Sequence, residues 1–164
     1  MILSAIVAVS ENGVIGKEGT LPWKLKDDLK WFQKNTTGHC IITGRKNFDD
    51  IGVALPKRHT LLLTRQPNLE VDFKGRGQII HTPGEAQAAA RNQGDEEPFV
   101  IGGAEIYKIF MPQVKRLYLT RVHAVIDGDV FLPDIGEGWK EVFSEHHKAD
   151  DRNEFDYTFQ ILER

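Results

Sequence analysis

The feature that most constrains the fold is alternation: short apolar runs and stretches of helical spacing follow one another through the first two thirds of the chain. The runs Ile2–Val9, His39–Thr43, Thr60–Thr64, Gln78–His81 and Phe99–Ile101 carry few polar positions, the pattern of strands covered on both faces. Between them, Lys24–Asn35, Arg45–Ile51, Gly84–Asn92 and Ala104–Phe110 read as helices. Such an order predicts an α/β domain with a central, mostly parallel twisted sheet and helices on both faces. In the last third, Leu117, Leu119 and Arg121 alternate with Tyr118, Thr120 and Val122, and Phe155, Tyr157, Phe159 and Ile161 alternate with polar neighbours. These read as antiparallel strands added at one edge.

The chain has 164 residues, and we read residues 1–164 as one domain without repeats or linkers. One cysteine, Cys40, excludes an internal disulfide, and the apolar start lacks the basic residues of an export signal; a cytoplasmic location is expected. No apolar stretch has membrane-spanning length. Charge is uneven, near +4 through Arg65 and near −7 beyond it. A basic first part suits a small anionic ligand, but no Lys/Arg run is interleaved with aromatics as for nucleic acid.

In α/β sheets ligands sit beyond the strand C-termini, and three motifs fall there. In Leu21-Pro22-Trp23-Lys24-Leu25-Lys26-Asp27-Asp28-Leu29-Lys30-Trp31-Phe32, helical spacing puts Leu25, Leu29 and Phe32 on one stripe with Asp28 at its flank; Asp27 is expected to face water. A carboxylate among apolar side chains has a raised pKa and can grip a ring edge that offers adjacent N–H donors. Read alone, Asp28 could equally pair with Lys24 or cap the helix. In Thr43-Gly44-Arg45-Lys46-Asn47 a glycine joins strand to helix, and the next strand ends in Thr64-Arg65-Gln66. Two basic strand ends side by side suit a dianionic 2'-phosphate, favouring NADPH over NADH. The third motif, Ile101-Gly102-Gly103-Ala104-Glu105-Ile106-Tyr107, reads as a phosphate cradle or merely a tight turn, and lacks the spaced Rossmann glycines. No metal ligand set is expected.

Taken in order with Val14-Ile15-Gly16, Leu55-Pro56, Arg58, Leu119-Thr120, Asp127-Gly128-Asp129 and Leu132-Pro133, these segments resemble the dihydrofolate reductase family over nearly the whole chain. The resemblance implies NADPH-dependent reduction of dihydrofolate to tetrahydrofolate, with hydride delivered to pterin C6 and protonation at N5 aided by Asp28. It places Asp28, Leu21 and Trp23 in the catalytic set, with Thr120 supporting Asp28 through a bridging water. Ile6, Leu29, Phe32, Ile51, Leu55 and Ile101 would pack around the pterin and aminobenzoyl rings, and Arg58 would take the glutamate α-carboxylate. Ala8 and Ile15 would contact the nicotinamide through backbone groups. Gly102, Gly103, Ala104 and Glu105 would face the pyrophosphate, and Arg45, Thr64 and Arg65 the adenosine 2'-phosphate. Gly16, Thr20, Gly44, Lys46, Asn47, Gln66, Ile106 and Tyr107 would complete the cofactor site.

The resemblance further implies a cis Gly102–Gly103 bond, a mobile lid over Glu11–Thr20 with Asp129 as its partner, a monomer, and sensitivity to diaminopyrimidine and pteridine antifolates. Asn47 replaces the family's usual Thr, Val53 a commonly basic residue near the glutamate tail, and Leu21 a Met of some bacterial members; Val130 and Phe131 make the late loop unusually apolar. Two alternatives remain: the related reductase of riboflavin synthesis, whose substrate has no glutamate tail for Arg58, and a non-catalytic binding protein.

Overall fold

The computed structural model describes residues 1–164. Its strands are β1 (Ser4–Ser10), β2 (Val14–Gly16), β3 (Cys40–Gly44), β4 (His59–Leu63), β5 (Gly77–Ile80), β6 (Phe99–Gly102), β7 (Arg116–Val122), β8 (Val130–Phe131), β9 (Lys140–His147) and β10 (Tyr157–Glu163). Four α-helices lie between them: α1 (Lys26–Thr36), α2 (Arg45–Ile51), α3 (Pro83–Asn92) and α4 (Ala104–Phe110). An eight-stranded sheet has the order β5-β4-β3-β6-β1-β7-β10-β9, and β2 pairs with β8 in a separate two-stranded ribbon.

Side-chain alternation along the strands assigns each helix to a face. On one face Ala5, Val7, Val9, Ile42, Leu61 and Leu63 pack with Ala86, Ala89 and Ala90 of α3 and Ile106 and Phe110 of α4. On the other, Ile6, Ile41, Phe99, Ile101 and Tyr118 meet Trp31 and Phe32 of α1, while Leu62 meets Phe48 of α2. Ile42, Leu61, Leu62 and Val100 expose none of their surface, and burial of each such side chain contributes about 1.5–3 kcal/mol.

The expected antiparallel strands stand at one edge of the sheet, where β10 pairs with β7 and β9. β7 runs parallel to β1, in register from Ser4↔Arg116 to Ser10↔Val122, and only β10 is reversed against its neighbours β7 and β9. Alternation reports that one face is wetter than the other and carries no information on strand direction. The last turn of residues before Tyr157, including Phe155, lies outside the strand.

Helix α1 starts at Lys26, two residues later than the sequence spacing implied, and no side chain of its own caps it. A distant segment does so instead: the Lys26 N–H donates to the Arg152 carbonyl at 3.3 Å and the Asp27 N–H to Asn153 Oδ1 at 3.1 Å. Orphan amides of the first turn are thereby satisfied from the opposite end of the chain. Asp27, expected to face water, returns the contact by accepting from Asn153 Nδ2, Tyr157 Oη and Arg152 Nη2 at 3.1, 3.1 and 3.4 Å. These partners hold its carboxyl below the ordinary aspartate pKa, against the opposing effect of burial.

Candidate active site

The C-terminal ends of β1, β3, β4 and β6 open into a cleft of about 780 Å³, walled by α1 on one side and by the starts of α2 and α4 on the other. Ile6, Val7 and Ala8 form its floor with Ile101 and Tyr107, and the Tyr107 hydroxyl donates to the Ile6 carbonyl at 2.7 Å. Full burial raises the Tyr107 pKa, so this phenol stays a neutral brace between α4 and the sheet.

Asp28 projects from the first turn of α1 into this cleft. Desolvation pushes its pKa up to about 6, opposed only by a hydrogen bond from Thr120 Oγ1 to Asp28 Oδ1 at 2.6 Å. The bond is direct, where the resemblance implied a bridging water. Thr120 is 1% exposed on β7, opposite Ala8 in register, so strand pairing alone brings its hydroxyl under α1. Leu29 does not join a buried stripe as its spacing suggested; it is 57% exposed and, with Phe32, forms the cleft wall beside Asp28.

The facing wall is polar. Gly44 precedes α2 and Gly103 precedes α4, and neither helix carries a side-chain cap, so the first amides of both open toward the cleft beside Arg45, Lys46, Asn47, Ala104, Glu105 and Ile106. Uncapped N-termini are anion sites. Close approach requires the glycines here. A Cβ on Gly44 would lie 2.9 Å from Ile106 Cγ1, and one on Gly102, whose φ is +108°, would lie 2.9 Å from the Tyr107 ring. The Gly102–Gly103 peptide is cis. Thr43 Oγ1 donates to the Gly102 carbonyl at 2.9 Å, and Asn47 Nδ2 donates to that same hydroxyl at 2.9 Å, so the amide at position 47 supports the turn from behind.

Several expected residues lie outside the lining. Trp23 is buried with Leu25, Val122, Tyr157 and Phe159, and its indole N–H has no protein acceptor. Leu55 packs behind Phe32 against the Ile6–Ile101 cluster. Thr64, Arg65 and Gln66 continue past β4; Gly44 pairs with Leu63, so they leave the sheet beside Arg45 without entering the cleft. Arg45 itself is held by Asp49, with Nε 3.0 and 2.8 Å from the two carboxylate oxygens. Arg58 is 8% exposed, donating from Nε to the Pro56 carbonyl and from Nη1 to Thr36 Oγ1, with its guanidinium 6.0 Å from the Phe32 ring centroid. Burial lowers its pKa, and it makes no ion pair, leaving a positive charge behind the outer end of the α1 wall.

The lid segment contacts the late loop at several points. Ile15, Gly16, Thr20 and Leu21 line the cleft mouth, but Val14 is fully buried and β2 pairs with β8. The Glu18 N–H donates to both Asp129 oxygens at 3.2 and 3.3 Å, and Lys17 pairs with Asp127 at 2.7 Å. The apolar Val130 supplies the second strand and reaches the cleft. Val7, Gly19, Asp50, Leu63 and Val130, outside the expected site residues, also line it. Asp50 and Ile51 follow Asn47 on one face of α2, a spacing visible in the sequence; that Gly19 lies beside Asp50 is a long-range contact with no local signal.

A cleft with amide-rich turns on one wall and a desolvated carboxylate on the other accommodates a dinucleotide against a flat, nitrogen-bearing ring, the arrangement of an NADP-dependent oxidoreductase. Comparison with known proteins narrows that class. The chain belongs to the dihydrofolate reductase family, whose model, "Dihydrofolate reductase", matches residues 2–164. It is 42% identical over 165 residues to the dihydrofolate reductase of Haemophilus influenzae, covering 100% of this chain and 99% of that protein. It is 40% identical over 163 residues to the dihydrofolate reductase of Staphylococcus haemolyticus, covering 99% and 95%. Among solved structures, dihydrofolate reductase from Enterococcus faecalis complexed with NADP(H) and RAB-propyl superimposes with a TM-score of 0.89 at 33% identity, covering 99% of this chain and 96% of that one.

Proposed function

We propose that this chain reduces 7,8-dihydrofolate to 5,6,7,8-tetrahydrofolate with NADPH, and that the one observation carrying this reading is the Asp28 carboxylate set against a cleft wall of Leu29 and Phe32. NADPH, when bound, supplies the hydride that reaches pterin C6. Asp28 grips the 2-amino group and N3 of the ring, two donors that match its two oxygens, and its charge favours the ring state that takes a proton at N5. Thr120 fixes the rotamer of that carboxylate through their direct bond. Ile6, Ile51 and Ile101 keep water from the ring faces, which strengthens the electrostatics of the single negative group.

The cofactor fits the opposite wall. The amides at the starts of α2 and α4 and the glycines without room for a Cβ form the cradle for its phosphates, with Arg45 and the neighbouring Arg65 beside the 2'-phosphate. Ala8, Ile15, Gly16 and Thr20 border the nicotinamide position, and Leu21 closes over it from the lid. Arg58 receives the glutamate α-carboxylate as a planar pair. Trp23 acts from behind this surface, as a buried anchor between the lid and α1. On this reading the protein works as a cytoplasmic monomer, and diaminopyrimidine and pteridine antifolates compete for Asp28.

Mixing the protein with NADPH and dihydrofolate and following loss of nicotinamide absorbance tests the reading. Turnover blocked by a diaminopyrimidine supports it; no turnover with dihydrofolate, or turnover of a ribosylamino-pyrimidine instead, overturns it.

A further inference from the structure

A second recess, of about 310 Å³, lies at the other end of the sheet, where β3, β4 and β5 begin. Its charged lining consists of Lys57, Arg58 and Arg76, the imidazoles of His39 and His59, and one acid, Asp95. The acid is already spent. Asp95 Oδ1 accepts from the Glu97 N–H at 2.9 Å and lies 2.8 Å from His39 Nδ1, and Oδ2 accepts from the Cys40 N–H at 2.6 Å. None of the three cations forms an ion pair with any carboxylate of the protein.

Two of the cations are also held in place. Arg76 donates from Nε to the Ala54 and Leu55 carbonyls and from Nη2 to Ala54 at 2.7 Å, which leaves Nη1 without a protein partner. Lys57 is fixed at its backbone alone, at φ +60° with its carbonyl accepting the Gly38 N–H at 2.7 Å, and its exposed ammonium can turn to a ligand; the immobilised donors are the two guanidinium groups. The Arg58 guanidinium is buried between this recess and Phe32. Like charges gathered in one concavity repel one another, and an anion placed among them relieves that repulsion. Donors already immobilised lose little freedom when they bind it. The only hydrophobic lining residue is Cys40, so the recess offers no apolar wall for an acyl chain.

We propose that this recess binds a small multivalent oxyanion of the phosphate class, as inorganic phosphate or as the phosphate of a monoester, at a site separate from the catalytic cleft. Arg58 borders both places, so the inference rests on Lys57 and Arg76, which the substrate reading does not use, and it stands whether or not the chain reduces dihydrofolate.

The test is titration of inorganic phosphate into protein saturated with NADPH and a pteridine antifolate that carries a glutamate tail, so that the cleft is filled and Arg58 is engaged from the cleft side, at ionic strength held constant with chloride. Phosphate should raise the melting temperature and shift the His39 and His59 ring proton resonances saturably, where chloride does neither. Lys57→Asn, with a residue that tolerates the left-handed backbone, should weaken phosphate binding at least about fivefold, as expected for one charge-assisted contact, while Lys140→Gln on the distant strand β9 should not. A phosphomonoester binding as tightly as phosphate would identify the recess as a monoester site, and weaker monoester binding would identify it as a site for the free ion. Histidine resonances unmoved by phosphate in the native protein, or equal weakening by the two lysine substitutions, would overturn the proposal.

Discussion

Thr120 Oγ1 and Asp28 Oδ1 lie 2.6 Å apart although 92 positions separate them in the chain, and this bond is the sole protein contact opposing the desolvation of the carboxylate. Its direction matters. The hydroxyl donates to the charged form, so it pulls the Asp28 pKa down while the apolar wall pushes it up.

Thr120→Val should therefore move the Asp28 pKa further above 6. A hydrogen bond to a charged group contributes about 1.5–3 kcal/mol, so the KM for dihydrofolate near neutral pH should rise by roughly tenfold or more. The pH profile of kcat/KM measures both changes. An unshifted profile would show that the hydroxyl is merely packed against Asp28.

Asp28→Asn should remove most turnover with dihydrofolate, by about 10²-fold or more, because an amide carries no charge to the ring. Near-normal rates at neutral pH would remove Asp28 from its role. The same substitution should make the protein more stable. Asp28 binds its proton more tightly folded, at about 6, than at the ordinary value of 3.8. Its contribution to stability is therefore fully present below the lower value and is lost as pH rises through the higher one. At pH 7 the variant should gain about 2–3 kcal/mol, at roughly 1.4 kcal/mol per pKa unit. The gain should vanish near pH 4 in denaturant titrations.

Arg45→Leu should raise the KM for NADPH far more than that for NADH, since only the former carries the 2'-phosphate. Asp49 competes for the same guanidinium, so Asp49→Asn should lower the KM for NADPH about two- to threefold; an exposed pair of this kind contributes at most about 1 kcal/mol. Steady-state kinetics with both cofactors decide the assignment, and equal effects on the two would refute it.

Gly128→Ala tests the ribbon under the lid. A Cβ there would overlap Val14 Cγ1 and lie 2.8 Å from the Gly16 carbonyl oxygen, which requires β2 to shift. Overpacking of this kind costs about 1–3 kcal/mol locally, and NADPH affinity should fall with little change in melting temperature. Unaltered cofactor binding would mean that the ribbon does not position Ile15 and Thr20.

Much of this arrangement was legible in the sequence because the signals are local. Buried strands, the glycines at Gly44 and Gly102–Gly103, and the acidic first turn of α1 each follow from residue type and spacing. What escaped depends on pairing between distant segments. Helical geometry separates Asp27 from Asp28 but cannot reveal that Asn153 and Tyr157 claim the first. Alternation in Leu117–Val122 marks a strand, while its direction is decided by β1, a partner more than a hundred residues away. Leu29 looked like core because its apolar character is the same whether it faces protein or a ligand.

The capping of α1 by Arg152 and Asn153 makes a distant stretch of chain part of the site's scaffold. Both residues belong to the connection between β9 and β10, and the bond from the Asp27 N–H to Asn153 spans 126 positions, so the turn that carries Asp28 is braced from that hairpin. Removing the hairpin would leave those first-turn amides without their protein acceptors and the reactive carboxyl on an unbraced turn.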